Sequence, residues 1–238
     1  MQLLLKDLAY GYDKVLLRDI NLSIKKGNKT LIVGNSGCGK STLFYVLMRL
    51  LYPLKGNIFI QGKNYDDLAE KSIREHFAVA FQEHHIFNLS IRDNFKMLYE
   101  DITDEEIYKS LENAYLLDFV KQVGLGYIVG NDGNKLSGGQ KHRLQLAICL
   151  AKQKDIILLD EPTAGLDIKT TNNICSQLME KYQKQTMIVT SHDISLLRFF
   201  DDIIICGEEK IIEQGNIKKL LLREDSYLNK LIRYKNFI

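Results

Sequence analysis

The chain has no apolar run near the roughly 18 residues a membrane-spanning helix needs; its longest, such as 156–159 and 203–206, are strand-sized. No signal pattern opens it, because the short apolar stretch after Met1 is broken by Lys6 and Asp7. The expectation is a cytosolic chain unless something else tethers it. Net charge is also missing: 32 Lys and Arg against 30 Asp and Glu leave +2, too little to imply nucleic acid, and no such partner is expected. The four cysteines, Cys38, Cys149, Cys175 and Cys206, form no C-x-x-C pair and have no metal-ligand spacing. Cys149, Cys175 and Cys206 read as small buried hydrophobes, and a reducing compartment fits. There is no internal repeat, low-complexity tract or linker. What remains, 45% hydrophobic and 26% charged over 238 residues, is ordinary for a globular chain able to bury a sizeable core.

Period-two patterning predicts short strands at 3–8, 21–24, 30–33 and 57–61, with turns at Lys26-Gly27 and Lys55-Gly56. A helix is expected to start inside a glycine-rich loop and carry 41–51 until Pro53 stops it. Residues 90–123 read as helical, most clearly 104–113. From Leu136 a long helix, a strand at 156–160, a helix near 168–182, a strand at 186–190 and a helix from Ile194 follow. That βα alternation implies a parallel sheet covered by helices. Residues 202–213 return to strand character around Gly207-Glu208. The chain reads as one unit with a helical lobe inserted at roughly 84–150.

The stretch GNSGCGKST at 34–42 fits G-x-x-x-x-G-K-[ST]. A triphosphate carries about four negative charges, which backbone N–H groups, a helix N-terminus and a cation can offset. Gly34, Gly37 and Gly39 let backbone approach phosphates without a Cβ. Lys40 supplies charge between the β- and γ-phosphates, and Ser41 offers its hydroxyl to Mg²⁺. Asn35, Ser36, Cys38 and Thr42 complete the loop, with Cys38 beside the nucleotide and open to alkylation. Downstream, IILLD at 156–160 is an apolar strand ending in a carboxylate, which a buried parallel strand places at the sheet's ligand edge. Asp160 reads as the Mg²⁺-associated acid and Glu161 as the group that polarises an attacking water. A bare helix cap before Pro162 is the weaker reading.

The sequence LSGGQ at 136–140, just ahead of that acidic strand, is far rarer than a phosphate loop. In this order the three elements resemble the ATP-binding cassette family, the ATPase subunits of ABC transporters, and the likeness runs from about Leu4 to Tyr234. The resemblance implies an α/β P-loop NTPase fold: a RecA-like core with a parallel sheet, an antiparallel β subdomain and an inserted α-helical subdomain, with 1–238 as one nucleotide-binding domain. It implies ATP and Mg²⁺ as ligands. By the same resemblance Tyr12 stacks on adenine, with Tyr10 as the fallback, Gln82 in AVAFQ contacts Mg²⁺ and water, Asp167 in AGLD reaches a dimer partner, and His192 in TSHD meets the γ-phosphate. Ser137, Gly138, Gly139 and Gln140 then serve the nucleotide of a second cassette, giving a head-to-tail homo- or heterodimer.

The stretch at 84–95 is similar to the exporter pattern after the glutamine, with Ser90 in the threonine position, and 57–68 and 226–235 also look exporter-like. The usual charged residues at 126–133 are absent, Ile128 and Asp132 standing there, and Ile148 replaces a common arginine. The implied role is the ATPase of an exporter-type transporter, docked through a transmembrane partner on the cytoplasmic face of the cell membrane. The alternative is a soluble non-transport cassette of an assembly or repair complex. His84-His85 have no third ligand at helical spacing, which favours a surface role over metal binding. The basic C-terminal stretch, Lys218 to Lys235, is interrupted by Glu224 and Asp225, so a solvated face is expected rather than a lipid contact.

Overall fold

The computed structural model describes residues 2–82 and 86–235. His84-His85 lie outside the described residues; among those described, no group of His, Cys, Asp and Glu could hold a metal ion by itself. In chain order the elements are β1 (Leu3–Gly11), β2 (Val15–Ile24), β3 (Lys29–Gly34), α1 (Lys40–Leu47), β4 (Lys55–Ile60), β5 (Lys63–Asn64), α2 (Glu70–Glu75) and β6 (Phe77–Ala80). Then come α3 (Ile91–Lys96), α4 (Asp104–Asn113), α5 (Leu117–Val123), α6 (Gly138–Leu150), β7 (Ile156–Asp160) and α7 (Ile168–Lys181). The chain finishes with β8 (Thr186–Ser191), β9 (Asp202–Cys206), β10 (Ile211–Asn216), α8 (Ile217–Leu221) and α9 (Tyr227–Lys235). Among the described residues no helix is long and apolar enough to cross a membrane.

The chain divides into two units: residues up to 77, 154–161 and from 183 onward form the first, and 78–153 with 162–182 the second. In the first, β2-β1-β4-β5 make an antiparallel sheet. Its other sheet runs β10-β9-β3-β8-β7, with β9, β3, β8 and β7 parallel and β10 antiparallel on β9. Every residue of β7 and β8 is buried, as near-continuous apolar strands with both faces covered should be. Helix α1 returns from the end of β3 and buries Leu43, Phe44, Val46 and Leu47, each stabilising the unit by about 1.5–3 kcal/mol. Strand β6 begins in the first unit and ends in the second.

The second unit is mostly helical, with α4 packed on α6 and α7. Buried Asn94 folds the chain entering α3: it accepts from Phe87 N at 2.9 Å and donates to the carbonyls of Phe87 and Ser90 at 3.1 and 3.0 Å. Ser90 caps α3, accepting from Asp93 N at 3.0 Å. Residue types that look like a family pattern therefore do local structural work.

Four elements differ from the sequence reading. Helix α1 ends at Leu47 rather than Leu51, and Pro53 is not its stop. Arg49 adopts a left-handed conformation (φ 54°), with Arg49 N donating to Val46 O and Leu50 N to Tyr45 O, a Schellman closure built on arginine instead of glycine. Tyr65 Oη and Arg74 Nε take the carbonyls of Leu47 and Met48, which repays that conformation. Lys55-Gly56 belongs to β4, not a turn; Gly56 lies where a Cβ would be 2.5 Å from the carbonyl oxygens of Lys6 and Asp7. The 90–123 helix is three helices, broken after α3 and at Tyr115, which has φ 55°. The helix from Ile194 is a 3₁₀ helix over Ile194–Phe199, capped by Asp193.

Candidate functional site

In parallel pairing Val33 lies opposite Ser191, Gly34 opposite Cys206, and Asp160 opposite Thr190. The ends of β3, β7, β8 and β9 therefore share one edge of the sheet, the edge where open α/β folds bind ligands. Out of β3 comes the loop 34–39, and out of the loop comes α1. No side chain caps the N-terminus of α1 and no acid stands in its first turn, an arrangement that suits the amides and the positive end of the dipole to an anion.

The loop is held from below. Tyr10, fully buried in β1, donates its hydroxyl to Gly39 O at 3.0 Å, and the same oxygen accepts the first helical bond from Leu43 N at 3.0 Å. Burial, with Cys206 and Cys38 nearby, pushes the Tyr10 phenol well above its ordinary pKa, so it remains a donor. Gly39 has φ 98°, a conformation that would strain any side chain. Gly34 is small for a different reason from the one the motif suggests: a Cβ there would meet Cys206 O at 2.7 Å and Cys38 Sγ at 2.8 Å, inside the protein rather than at the phosphates. Lys40 Nζ donates to Gly34 O at 2.9 Å and Asn35 O at 3.0 Å. Those two bonds place the ammonium over the loop and leave a third proton for an anion. Asn35, Ser36 and Gly37 are exposed, Ser41 is half-exposed, and Thr42 is buried.

At the end of β7, Asp160 and Glu161 are only 3% and 8% exposed. Thr190 of β8 joins them: its hydroxyl donates to Asp160 Oδ1, while its hydroxyl and carbonyl oxygens accept from Glu161 N at 3.1 and 3.2 Å. Glu161 has φ 50°, a conformation uncommon for a non-glycine residue that costs about 1–3 kcal/mol and persists where surrounding bonds fix it. The bent backbone aims Glu161 along the sheet edge toward β8. There Glu161 Oε2 lies 3.0 Å from His192 Nδ1, and the His192 side chain is 74% exposed. A carboxylate thus fixes one imidazole nitrogen of a largely exposed side chain.

Tyr12 is 59% exposed just beyond β1. Tyr10 cannot be the adenine platform, because it is buried and committed to Gly39. Tyr12→Ala is expected to leave the fold intact and weaken ATP binding by about 1 kcal/mol; Tyr10→Phe is expected to cost about 0.5–1.5 kcal/mol of stability through the lost buried bond. Fluorescent-nucleotide titration and urea unfolding separate the two, and unchanged affinity in Tyr12→Ala would remove any aromatic contribution.

Other site candidates belong to the second unit. Gln82 is exposed just after β6. Ser137 caps α6 in a complete capping box, accepting from Gln140 N at 3.2 Å while Gln140 Oε1 accepts from Ser137 N at 2.8 Å. Ser137 and Gly138 are exposed, and a Cβ on Gly138 would meet nothing within 4 Å. Asp167 caps α7, accepting from Thr170 N at 2.9 Å. Sequence reasoning gave no role to Thr190 or to the Cys206 carbonyl, and passed over Tyr10 as a loop support. Thr190 and the Cys206 carbonyl are placed by strand register and Tyr10 by a side chain reaching the loop from the other sheet, neither of which a local motif encodes.

A phosphate loop leaving a parallel strand, with an acid pair and a histidine on neighbouring strand ends, defines a P-loop nucleotide-binding fold. The family model described as "ABC transporter" matches residues 17–164, and the chain belongs to the ABC transporter family. It is 37% identical over 218 residues to the multidrug resistance protein pgp-1 of Caenorhabditis elegans, covering 90% of this chain and 16% of that protein. It is 34% identical over 206 residues to the Beta-(1-->2)glucan export ATP-binding/permease protein NdvA of Agrobacterium vitis, covering 86% and 35%. It is 33% identical to the ATP-dependent lipid A-core flippase of Haemophilus influenzae, covering 93% and 39%. A solved bacterial Atm1-family ABC exporter with ATP bound superposes with a TM-score of 0.91 at 30% identity, covering 98% of this chain and 41% of that one. The chain therefore spans well under half the length of these relatives.

Proposed function

We propose that this chain is the ATP-hydrolysing part of an exporter-type ABC transporter. The observation that carries the reading is the convergence on one sheet edge of Lys40, the Asp160–Glu161 pair and His192, with Glu161 and His192 hydrogen-bonded. The α1 amides and the Lys40 ammonium bind the phosphates of ATP, and Tyr12 covers the adenine. Ser41 and Asp160 carry hard oxygen donors suited to Mg²⁺, with Gln82 as a third candidate; Asp160 Oδ1 accepts from Thr190, which makes Oδ2 the candidate ligand atom. When bound, Mg²⁺ neutralises charge on the phosphate oxygens.

Glu161 accepts a proton from the attacking water, and His192, oriented through Nδ1, presents Nε2 to the γ-phosphate. The placed donors stabilise charge spread over that phosphoryl group. Ser137 and Gly138, exposed at the start of α6, with half-buried Gly139 and Gln140, serve the nucleotide of a second cassette, whether a second copy of this chain or a related one. The relatives named as export, permease and flippase proteins support a transmembrane partner and a place on the cytoplasmic face of the membrane.

The test is affinity capture of tagged Glu161→Gln protein from detergent-solubilised cells in ATP, followed by mass spectrometry. A polytopic membrane protein is expected. Soluble partners alone, with wild-type ATPase activity intact, would move the reading to an assembly or repair cassette.

A further inference from the structure

Beneath the phosphate loop two cysteines meet. Cys38 turns the loop between Gly37 and Gly39, and Cys206 ends β9 with Gly34 as its partner across the ladder. A methyl group on Gly34 would lie 2.8 Å from Cys38 Sγ and 3.1 Å from Cys206 Cβ. The two side chains crowd one point, and the glycine leaves that space to sulfur. Both thiols are free, and that shared point beside Gly34 brings them close together.

We propose that Cys38 and Cys206 are a thiol pair that a peroxide converts to a disulfide, closing the phosphate loop to ATP until a thiol reductant reopens it. The chemistry is asymmetric. The neighbouring Cys206 thiol and the Lys40 ammonium lower the Cys38 thiol to about 6, while Cys38 and burial push Cys206 up. Cys38 is half-exposed and Cys206 is buried, so Cys38 is the nucleophile and Cys206 the resolving thiol. A cavity of about 360 Å³, lined by Gly34, Ser36, His192, Cys206, Tyr227 and Leu231, runs beside the loop. A small peroxide fits that cavity on its Cys206 side, and Cys38 is itself half-exposed.

In the first step the Cys38 thiolate attacks one peroxide oxygen. The S–O bond forms, the O–O bond breaks, and the leaving hydroxide takes a proton to become water. In the second step Cys206 gives up its proton and attacks the Cys38 sulfenic sulfur. The S–S bond forms, the S–O bond breaks, and the departing hydroxide takes that proton as a second water. Two sulfurs are oxidised and two peroxide oxygens reduced.

The bond needs its Cβ atoms about 3.5–4.5 Å apart, which ties the middle of the loop to the end of β9. The peptide groups on either side of Cys38, set by the positive φ angles of Gly37 and Gly39, are the ones that reorient. Amides that turn away from the phosphates no longer bind them.

The experiment uses the purified chain, treated with hydrogen peroxide, alkylated and mapped by peptide mass spectrometry, with a fluorescent ATP analogue reading binding. The expected result is a Cys38–Cys206 cross-linked peptide, a loss of affinity of about tenfold or more, full recovery in dithiothreitol, and slower cross-linking when MgATP is present beforehand. Cys206→Ala should bind ATP as the wild type does before oxidation and form no such peptide afterwards. Oxidised wild-type chain without the cross-link, or cross-linked chain with unchanged affinity, overturns the proposal whether or not the variant folds. Neither readout involves a transport partner, so this proposal and the transporter reading fail separately.

Discussion

Glu161→Gln protein is expected to bind ATP as tightly as the wild type and to turn it over about 10²–10⁴-fold more slowly. The amide keeps the shape of the carboxylate and retains an oxygen toward His192, but it cannot accept the water's proton. The left-handed backbone at residue 161 is fixed by two bonds from its own N–H to Thr190, so the substitution leaves the turn in place. With hydrolysis blocked, ATP should hold two cassettes together, visible as a dimer by light scattering. Turnover at the wild-type rate would remove Glu161 from the reaction and leave His192 without its partner's chemistry.

The second large effect is on binding. Lys40→Ala removes the one ammonium that the loop carbonyls of Gly34 and Asn35 hold over the phosphate path. A hydrogen bond to a charged group is worth about 1.5–3 kcal/mol, which is roughly 10- to 100-fold in ATP affinity. The fold should be little affected, because Asn35 is exposed and its freed carbonyl can turn to water. Isothermal titration with ATP, beside a urea melt, checks both halves. An affinity within twofold of wild type would mean that the α1 amides alone hold the phosphates.

Much of this site was legible in the sequence because its chemistry is carried by short contiguous segments. The loop 34–42, the acids at 160 and 161, and the histidine at 192 each sit where a strand pattern stops, and β3, β7 and β8 formed where period and apolarity placed them. What stayed hidden depends on which strands lie side by side. Cys206 reads as one more buried hydrophobe until parallel pairing sets it against Gly34. Thr190 reads as the end of an apolar strand until register puts it opposite Asp160. Tyr10 and Tyr12 are two residues apart, a spacing that would put both on one face of a continuing strand, yet β1 ends at Gly11, so Tyr10 is buried beneath the loop and Tyr12 stands beyond the strand, exposed. The early end of α1 was missed for a local reason: Arg49 takes a left-handed turn usually left to glycine, and the Arg74 and Tyr65 bonds that support it come from farther along the chain.

Under the proposed reading, hydrolysis needs two cassettes, each supplying the start of α6 to the other's nucleotide. Steady-state ATPase activity per chain, measured in Mg²⁺ over a wide range of chain concentration, tests that most directly. Specific activity should rise with concentration toward a plateau, and an excess of Ser137→Arg chain with intact phosphate loop should depress it. Specific activity that is constant from the most dilute sample upward, and indifferent to that variant, would contradict the shared site.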